Sequence, residues 1–363
     1  MHGKVIGFVS LTAFFAFPSS DPSLFHQDGK TVQKEEAPVR LKADLVLVPV
    51  EVIGKKSKMP VGGLKQDDFV VFEDGMRREV SFFGHEDIPF RILLVVPSPI
   101  FCSGLHRPAP LSGDAFIKAA DRARQLAIRI VDSLRLGDSV ALFTVCGSAL
   151  TMVSSFTDDL ARVRELLQDM KAQCPCEKGA VIGLNRVMLM EVAKHISRYS
   201  GRLSRPIILL INENLVDPHR PEFPLRDLVT AIIGSGTMVC AIDLETPFGK
   251  YITALRGIAV GTGIGHFLVK DKFFDYFADL TGGLVVKDDT GNPERAVQEI
   301  TTFFERVRRS YILGFEPKGE RSKGRLVKIK VELSSQARKK NEGVQLRYRR
   351  GYIVLAGEEQ VSK

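Results

Sequence analysis

From residue 90 onward, short apolar runs alternate with segments whose apolar positions recur every three or four residues. That rhythm predicts buried strands separated by amphipathic helices. Arg91-Ile-Leu-Leu-Val-Val-Pro-Ser-Pro-Ile100 reads as a buried strand running into a loop. Residues 112–136 follow as a helix, with Phe116, Ala119, Ala123, Leu126, Ile130 and Leu134 on one face and Gly137 as its stop. Strands are predicted at 140–145, 151–154, 206–211, 238–242 and 284–286. Helices are predicted at 158–171, 180–199, 225–233 and 271–280, and at 293–308, where Pro293 suits a first helical turn. Strand and helix in alternation imply a mostly parallel sheet with helices on both faces.

The flanks have a different period. Residues 69–72 and 80–83 are strand-like around Asp74-Gly75, a hairpin signal. Near the other end Val327, Ile329, Val331 and Leu333 alternate with Lys328, Lys330 and Glu332, giving one apolar and one charged face. The expected fold class is therefore α/β, a doubly wound mostly parallel sheet flanked by an N-terminal β module and a C-terminal β extension. The expected organisation is a signal at 1–20, a disordered lead at 21–40, the β module at 41–87, the α/β domain at 88–308, a basic β extension at 309–356 and a tail at 357–363.

Charge changes the picture at two places. The 363 residues carry a net +8, yet residues 306–350 hold 15 Lys/Arg against 4 Asp/Glu, so the rest of the chain is slightly acidic. At the start, Lys4 precedes an apolar run at 5–17 that is too short to span a bilayer. This reads as a secretory signal cut near residue 20, at Pro18-Ser19-Ser20. No Cys follows the run, which argues against a lipid anchor. The chain is expected to be secreted or periplasmic, with no transmembrane segment once the signal is removed.

Several stretches together resemble von Willebrand factor type A domains, and more narrowly the VWFA-related family expanded in acidobacteria. They are Asp44-Leu-Val-Leu-Val-Pro-Val50, Gly63-Leu-Lys-Gln-Asp-Asp-Phe-Val-Val-Phe-Glu-Asp-Gly75, Gly137-Asp-Ser-Val-Ala-Leu-Phe143, Phe156-Thr-Asp-Asp159, and Tyr311-Ile-Leu-Gly-Phe-Glu-Pro317 with Arg350-Gly-Tyr352. The resemblance implies a type A, Rossmann-like domain (88–308) with its binding loops at one end. It also implies a metal-ion-dependent adhesion site, whose residues would fall on Val96, Ser98, Ile100, near Ala180, and on Asn212. Only Ser98 keeps its type. A hard divalent cation needs oxygen ligands including carboxylates, so the site is expected to be degenerate and no cofactor or metal is expected. Ser98, Ala180, Asn212 and Glu213 remain as candidate ligand-binding loop residues; Glu213 and Asp217 are the carboxylates open to a rearranged cation site.

Following the strand directions that the resemblance implies, Cys102, Cys146, Cys174 and Cys176 share the loop end. In an oxidising compartment such thiols pair, and a bond from Cys102 to Cys174 or Cys176 would tie two loops that a metal normally bridges. Four cysteines allow three pairings, and the choice stays open. Cys240, inside an apolar strand, reads as a buried thiol.

Enzyme chemistry finds little support. There is no His-Glu-x-x-His and no Gly-x-Ser-x-Gly, and His195 sits within an amphipathic helix where a half-buried structural role is expected. Glycines 257, 261, 263 and 265 lack the Lys-Ser or Lys-Thr of a phosphate loop. The first expectation is an exported protein-binding module of the adhesion or scaffold kind, acting through the loop face without a metal. The alternative is cation-dependent binding through a rearranged site, and an enzyme of unknown class comes third. The expected partner is a protein ligand, with an anionic envelope surface as a further contact for the basic stretch and no nucleic acid.

Overall fold

The computed structural model describes residues 45–85, 87–98, 100–101, 113–146, 149–170, 174–175, 186–199, 204–212, 215–216, 225–244, 269–270, 273–288, 292–319, 322 and 324–354. The expected signal and lead lie outside them. Four strands come first: β1 (Val46–Gly54), β2 (Phe69–Glu73), β3 (Met76–Arg78) and β4 (Phe82–His85). The alternating part contributes β5 (Phe90–Pro97), β6 (Ile100–Phe101), β7 (Ser139–Cys146), β8 (Ala149–Thr157), β9 (Cys174–Pro175), β10 (Arg205–Asn212), β11 (Leu215–Val216), β12 (Met238–Leu244), β13 (Val269–Lys270) and β14 (Val285–Asp288). Its helices are α1 (Gly113–Asp132), α2 (Leu160–Gln168), α3 (Arg186–Ser197), α4 (Leu225–Gly234), α5 (Phe273–Thr281) and α6 (Pro293–Arg308). After these come β15 (Tyr311–Phe315), β16 (Leu326–Leu333), α7 (Ser335–Lys340), β17 (Val344–Tyr348) and β18 (Gly351–Ile353).

The central sheet has the spatial order β14-β12-β10-β5-β7-β8. All its pairings are parallel except β7 with the edge strand β8. Strands β5, β10 and β12 are apolar on both faces because helices cover both. On one face Ile92, Leu94 and Val96 share a core with Leu126 and Ile130 of α1 and with Ile300 and Phe303 of α6. On the other, Leu93 and Val95 share a core with Val192 of α3, Ile232 of α4 and Phe277 of α5. Local signals set the helix ends. Asp159 accepts from the Arg162 amide at 2.9 Å to cap α2, and Asn292 with Pro293 opens α6. Gly137 takes φ 91°, the left-handed conformation that ends the segment after α1.

The two flanks are woven together. One antiparallel sheet runs β17-β1-β15-β4 and another runs β18-β16-β2-β3, so each mixes strands from both ends of the described chain. Val48, Val50, Phe69 and Val71 share a core with Leu313, Phe315, Ile329 and Val331. The Asp74-Gly75 turn is present, with positive φ at both residues (47° and 84°), as a two-residue hairpin of the primed type requires. Its second arm differs from expectation. A two-residue turn fixes Glu73 opposite Met76, so residues 76–78 return along β2, while β4 crosses to pair with β15 in the other sheet.

Candidate functional site

In an open parallel sheet, ligands bind outside the carboxyl ends of the strands where the strand order reverses. Here that point lies between β5 and β10, neighbours in register from Phe90↔Arg205 to Val95↔Leu210. Strand β7 completes the same end, with Val96↔Thr144 and Pro97↔Val145 in register.

Val96 is 0 % exposed and belongs to the core under α1 and α6. Two residues on, Ser98 is 5 % exposed and its amide donates to the Val145 carbonyl at 2.8 Å, which carries the ladder just past the strand end. Asn212, 2 % exposed, closes β10. By the two-residue alternation of a strand, Asn212 shares a face with Leu210 while Ser98 shares one with Val96, so the pleat separates the two candidates. Ala180 and Glu213 lie outside the described residues, as do Asp217, Cys102 and Cys176. Cys174 is described only as backbone, paired through β9 with Ile100 of β6. This short parallel ladder joins the loop after β5 to the loop after α2.

Three features of this end escape detection in the sequence. Asp243 is 4 % exposed and stands in register with Asn212, which sets their backbones about 5 Å apart. Its only signal is a lone acid near the carboxyl end of an apolar run, the same position that Asn212 holds in β10. Thr144 Oγ1 is buried with no hydrogen-bond partner among the described residues. Asp288, at the end of β14, pairs with Arg122 of α1, whose Nη2 also donates to the Asp288 carbonyl at 2.9 Å. That bond anchors α1 to the sheet.

The described side chains at this end offer hydroxyls at Ser98 and Thr144, an amide at Asn212, and carboxylates at Asp243 and Asp288, the last already paired with Arg122. No cluster of three or more His, Cys, Asp or Glu suited to a metal occurs among the described residues.

Cys146, the last residue of β7, is disulfide-bonded. Cys240 is a free, buried thiol, and desolvation pushes its pKa up to about 12 despite a hydrogen bond to Leu284, which makes it inert as a nucleophile.

His195 is half-buried in α3, its ring 5.0 Å from that of Phe143 and 6.0 Å from that of Phe156. Desolvation, helped by the Arg198 charge, lowers its pKa. No helix among the described residues is long and apolar enough to cross a membrane.

No protein-family model matches the chain, and no curated protein matches it. Its structural neighbours include von Willebrand factor type A domains. A conserved hypothetical protein, BatB, from Bacteroides thetaiotaomicron superimposes with TM-score 0.38 and 13% identity, covering 61% of this chain and 98% of its own. The SpRpn10 VWA domain gives TM-score 0.38 and 10% identity, over 58% of this chain and 95% of its own. A von Willebrand factor type A protein from Catenulispora acidiphila gives 0.37 and 10%, over 87% and 74%. All three are remote, and none lends its function to this chain.

Proposed function

We propose that this chain is an exported protein-binding module of the adhesion or scaffold kind, engaging a protein partner through the carboxyl-end loops of its central sheet without a bound metal. The side chain of Val96 carries the reading. A wholly buried hydrocarbon occupies the position where a metal-dependent version of this face needs its first carboxylate, and Ser98 and Asn212 nearby are neutral. A cation held by one acid and two neutral oxygens lacks the charge that gives such sites useful affinity. Disulfides would hold the loops instead. The bond at Cys146 closes a loop of about 30 to 45 residues whichever partner it takes, worth about 4 kcal/mol in the chain-entropy model. The packing of His195 among aromatic rings supports a non-catalytic role for that residue.

Pull-down from envelope extract with and without chelator tests the function. The same partner should be captured in both arms, and calorimetric titration with Mg²⁺ or Mn²⁺ should show no site tighter than about 1 mM. Capture lost on chelation would overturn the metal-free mechanism. Asp243 favours one second reading, cation-dependent binding through a rearranged site. In that case a stoichiometric site appears in the titration and disappears in Asp243→Asn.

A further inference from the structure

The sheet β17-β1-β15-β4 has an inner face toward the core it shares with β2 and β16, and an outer face toward the amino ends of β10 and β12. Leu47, Pro49 and Glu51 of β1 occupy that outer face, and Arg347 and Arg349 lie two residues apart on or beside β17. Between this face and the central sheet lies a cleft of about 190 Å³, with Leu47, Pro49 and Met238 among its apolar walls and Arg205, Arg347 and Arg349 as its cations. It sits at the opposite end of β10 from Asn212, roughly 23 Å away along the strand.

Neutral groups contact each of the three guanidinium groups. Arg205, 6 % exposed, donates through Nη1 to the Val307 carbonyl at 2.6 Å and reaches Ser310 Oγ at 3.4 Å. Arg349 donates through Nη2 to the Leu47 carbonyl at 2.6 Å. Arg347 lies 5.2 Å from the centre of the Phe303 ring. Among the described residues Glu51 is the one carboxylate on the cleft; its Oε1 is held by Arg306 at 2.5 Å, while Oε2, without a hydrogen-bond partner among them, lies 3.8 Å from Arg347 Nε. Arg347 Nη1 and Arg349 Nε are buried without a hydrogen-bond partner among the described residues. Arg349 keeps partial solvent contact, yet it is packed densely enough that desolvation lowers its pKa to about 10, opposed only by Tyr352.

Clustered positive charge with donors to spare is costly unless an anion compensates it, and apolar walls with a few convergent polar groups are the usual make-up of a small-molecule site. We propose that this cleft binds a small organic oxyanion: a short apolar body against Leu47, Pro49 and Met238, with a carboxylate or phosphate head between Arg347 and Arg349. Guanidinium forks suit both heads, which they grip through paired N–H donors. The site is independent of the carboxyl-end loops.

Calorimetry on the full chain tests it with four probes: hexanoate and hexyl phosphate carry body and head, hexanol the body alone, and inorganic phosphate the head alone. One or both amphiphilic anions should bind at one per chain and at least tenfold tighter than hexanol or inorganic phosphate. The tighter of the two identifies the head. Arg349→Gln should weaken that binding at least fivefold and leave hexanol unchanged; Arg347→Gln is the second variant if Arg349→Gln does not fold. No saturable heat from either anion up to about 10 mM, hexanol binding as tightly as the anions, or affinity unchanged in the folded variants would each overturn the proposal.

Discussion

At the carboxyl-end face, the side chain of Val96 bears most directly on the proposed metal-free binding. Val96 is enclosed by the core under α1 and α6, so an acid introduced there meets methyl groups and no cation. Val96→Asp is expected to cost about 3–5 kcal/mol, because it buries an uncompensated charge, and to bring no Mg²⁺ binding. Urea denaturation and calorimetric titration check the two halves; a variant that gains a stoichiometric cation site at little cost would show that the loop is still built for a metal. His195 makes a second prediction at this scale. Its folded pKa lies below the unfolded value of 6.5, so the unfolded chain binds the extra proton first. The contribution is intact above about pH 6.5 and is lost as pH falls toward the lowered folded value. Melting temperature should therefore drop on acidification through that window, and His195→Phe, which suits the ring cluster with Phe143 and Phe156, should make the drop shallower.

At the scale of elements, the turn after α1 and the end of α6 are locked by one carboxylate. Asp138, fully buried, accepts from the Phe90 amide at 2.8 Å and the Arg135 amide at 2.8 Å, and pairs with Arg308 at the end of α6. Arg308 in turn lies 3.8 Å from the centre of the Phe90 ring at the start of β5. Asp138→Ala should cost about 3–5 kcal/mol, since it strands a buried guanidinium and two amides together, whereas Asp138→Asn retains an acceptor and should cost less. Denaturation midpoints decide it, and equal losses would mean that the charge contributes little. The strands that this carboxylate joins were legible in sequence because β5, β10 and β12 carry apolar runs that only a sheet covered on both faces can hide. The start of α6 was legible at Pro293, whose fit to a first helical turn is local. Other features were not local. Alternation read the basic stretch as a solvated face, and for Lys328 and Lys330 of β16 that holds. Arg347 lies on, and Arg349 just past, a different strand whose neighbour, β1, lies some 300 residues earlier, and no short-range pattern shows that they line one cleft with Arg205. Asp243 was hidden for a similar reason: only the register with Asn212 gives it a place at the site.

Across the whole molecule, the decisive fact is that both flanking sheets draw strands from both ends of the described chain. β1 has β15 and β17 as its neighbours, and β2 has β16 on one side and β3 on the other. The core between the sheets combines residues 48–80 with residues 311–352, so neither flank has a hydrophobic interior of its own. A chain ending at Ser310 would leave Val48, Val50, Phe69 and Val71 without the partners that cover them, and β1 with both edges open, an arrangement prone to aggregation. The central sheet differs, because its two cores consist almost wholly of residues 90–307. The truncated chain is therefore expected to lose protection of residues 45–85 while much of the central sheet survives. Limited proteolysis followed by mass spectrometry should find early cuts within residues 45–85 in the truncated protein and none within them in the full chain. Protection of residues 45–85 in both would mean that the first four strands fold without the last four, contrary to the pairing of β1 with β15 and of β2 with β16.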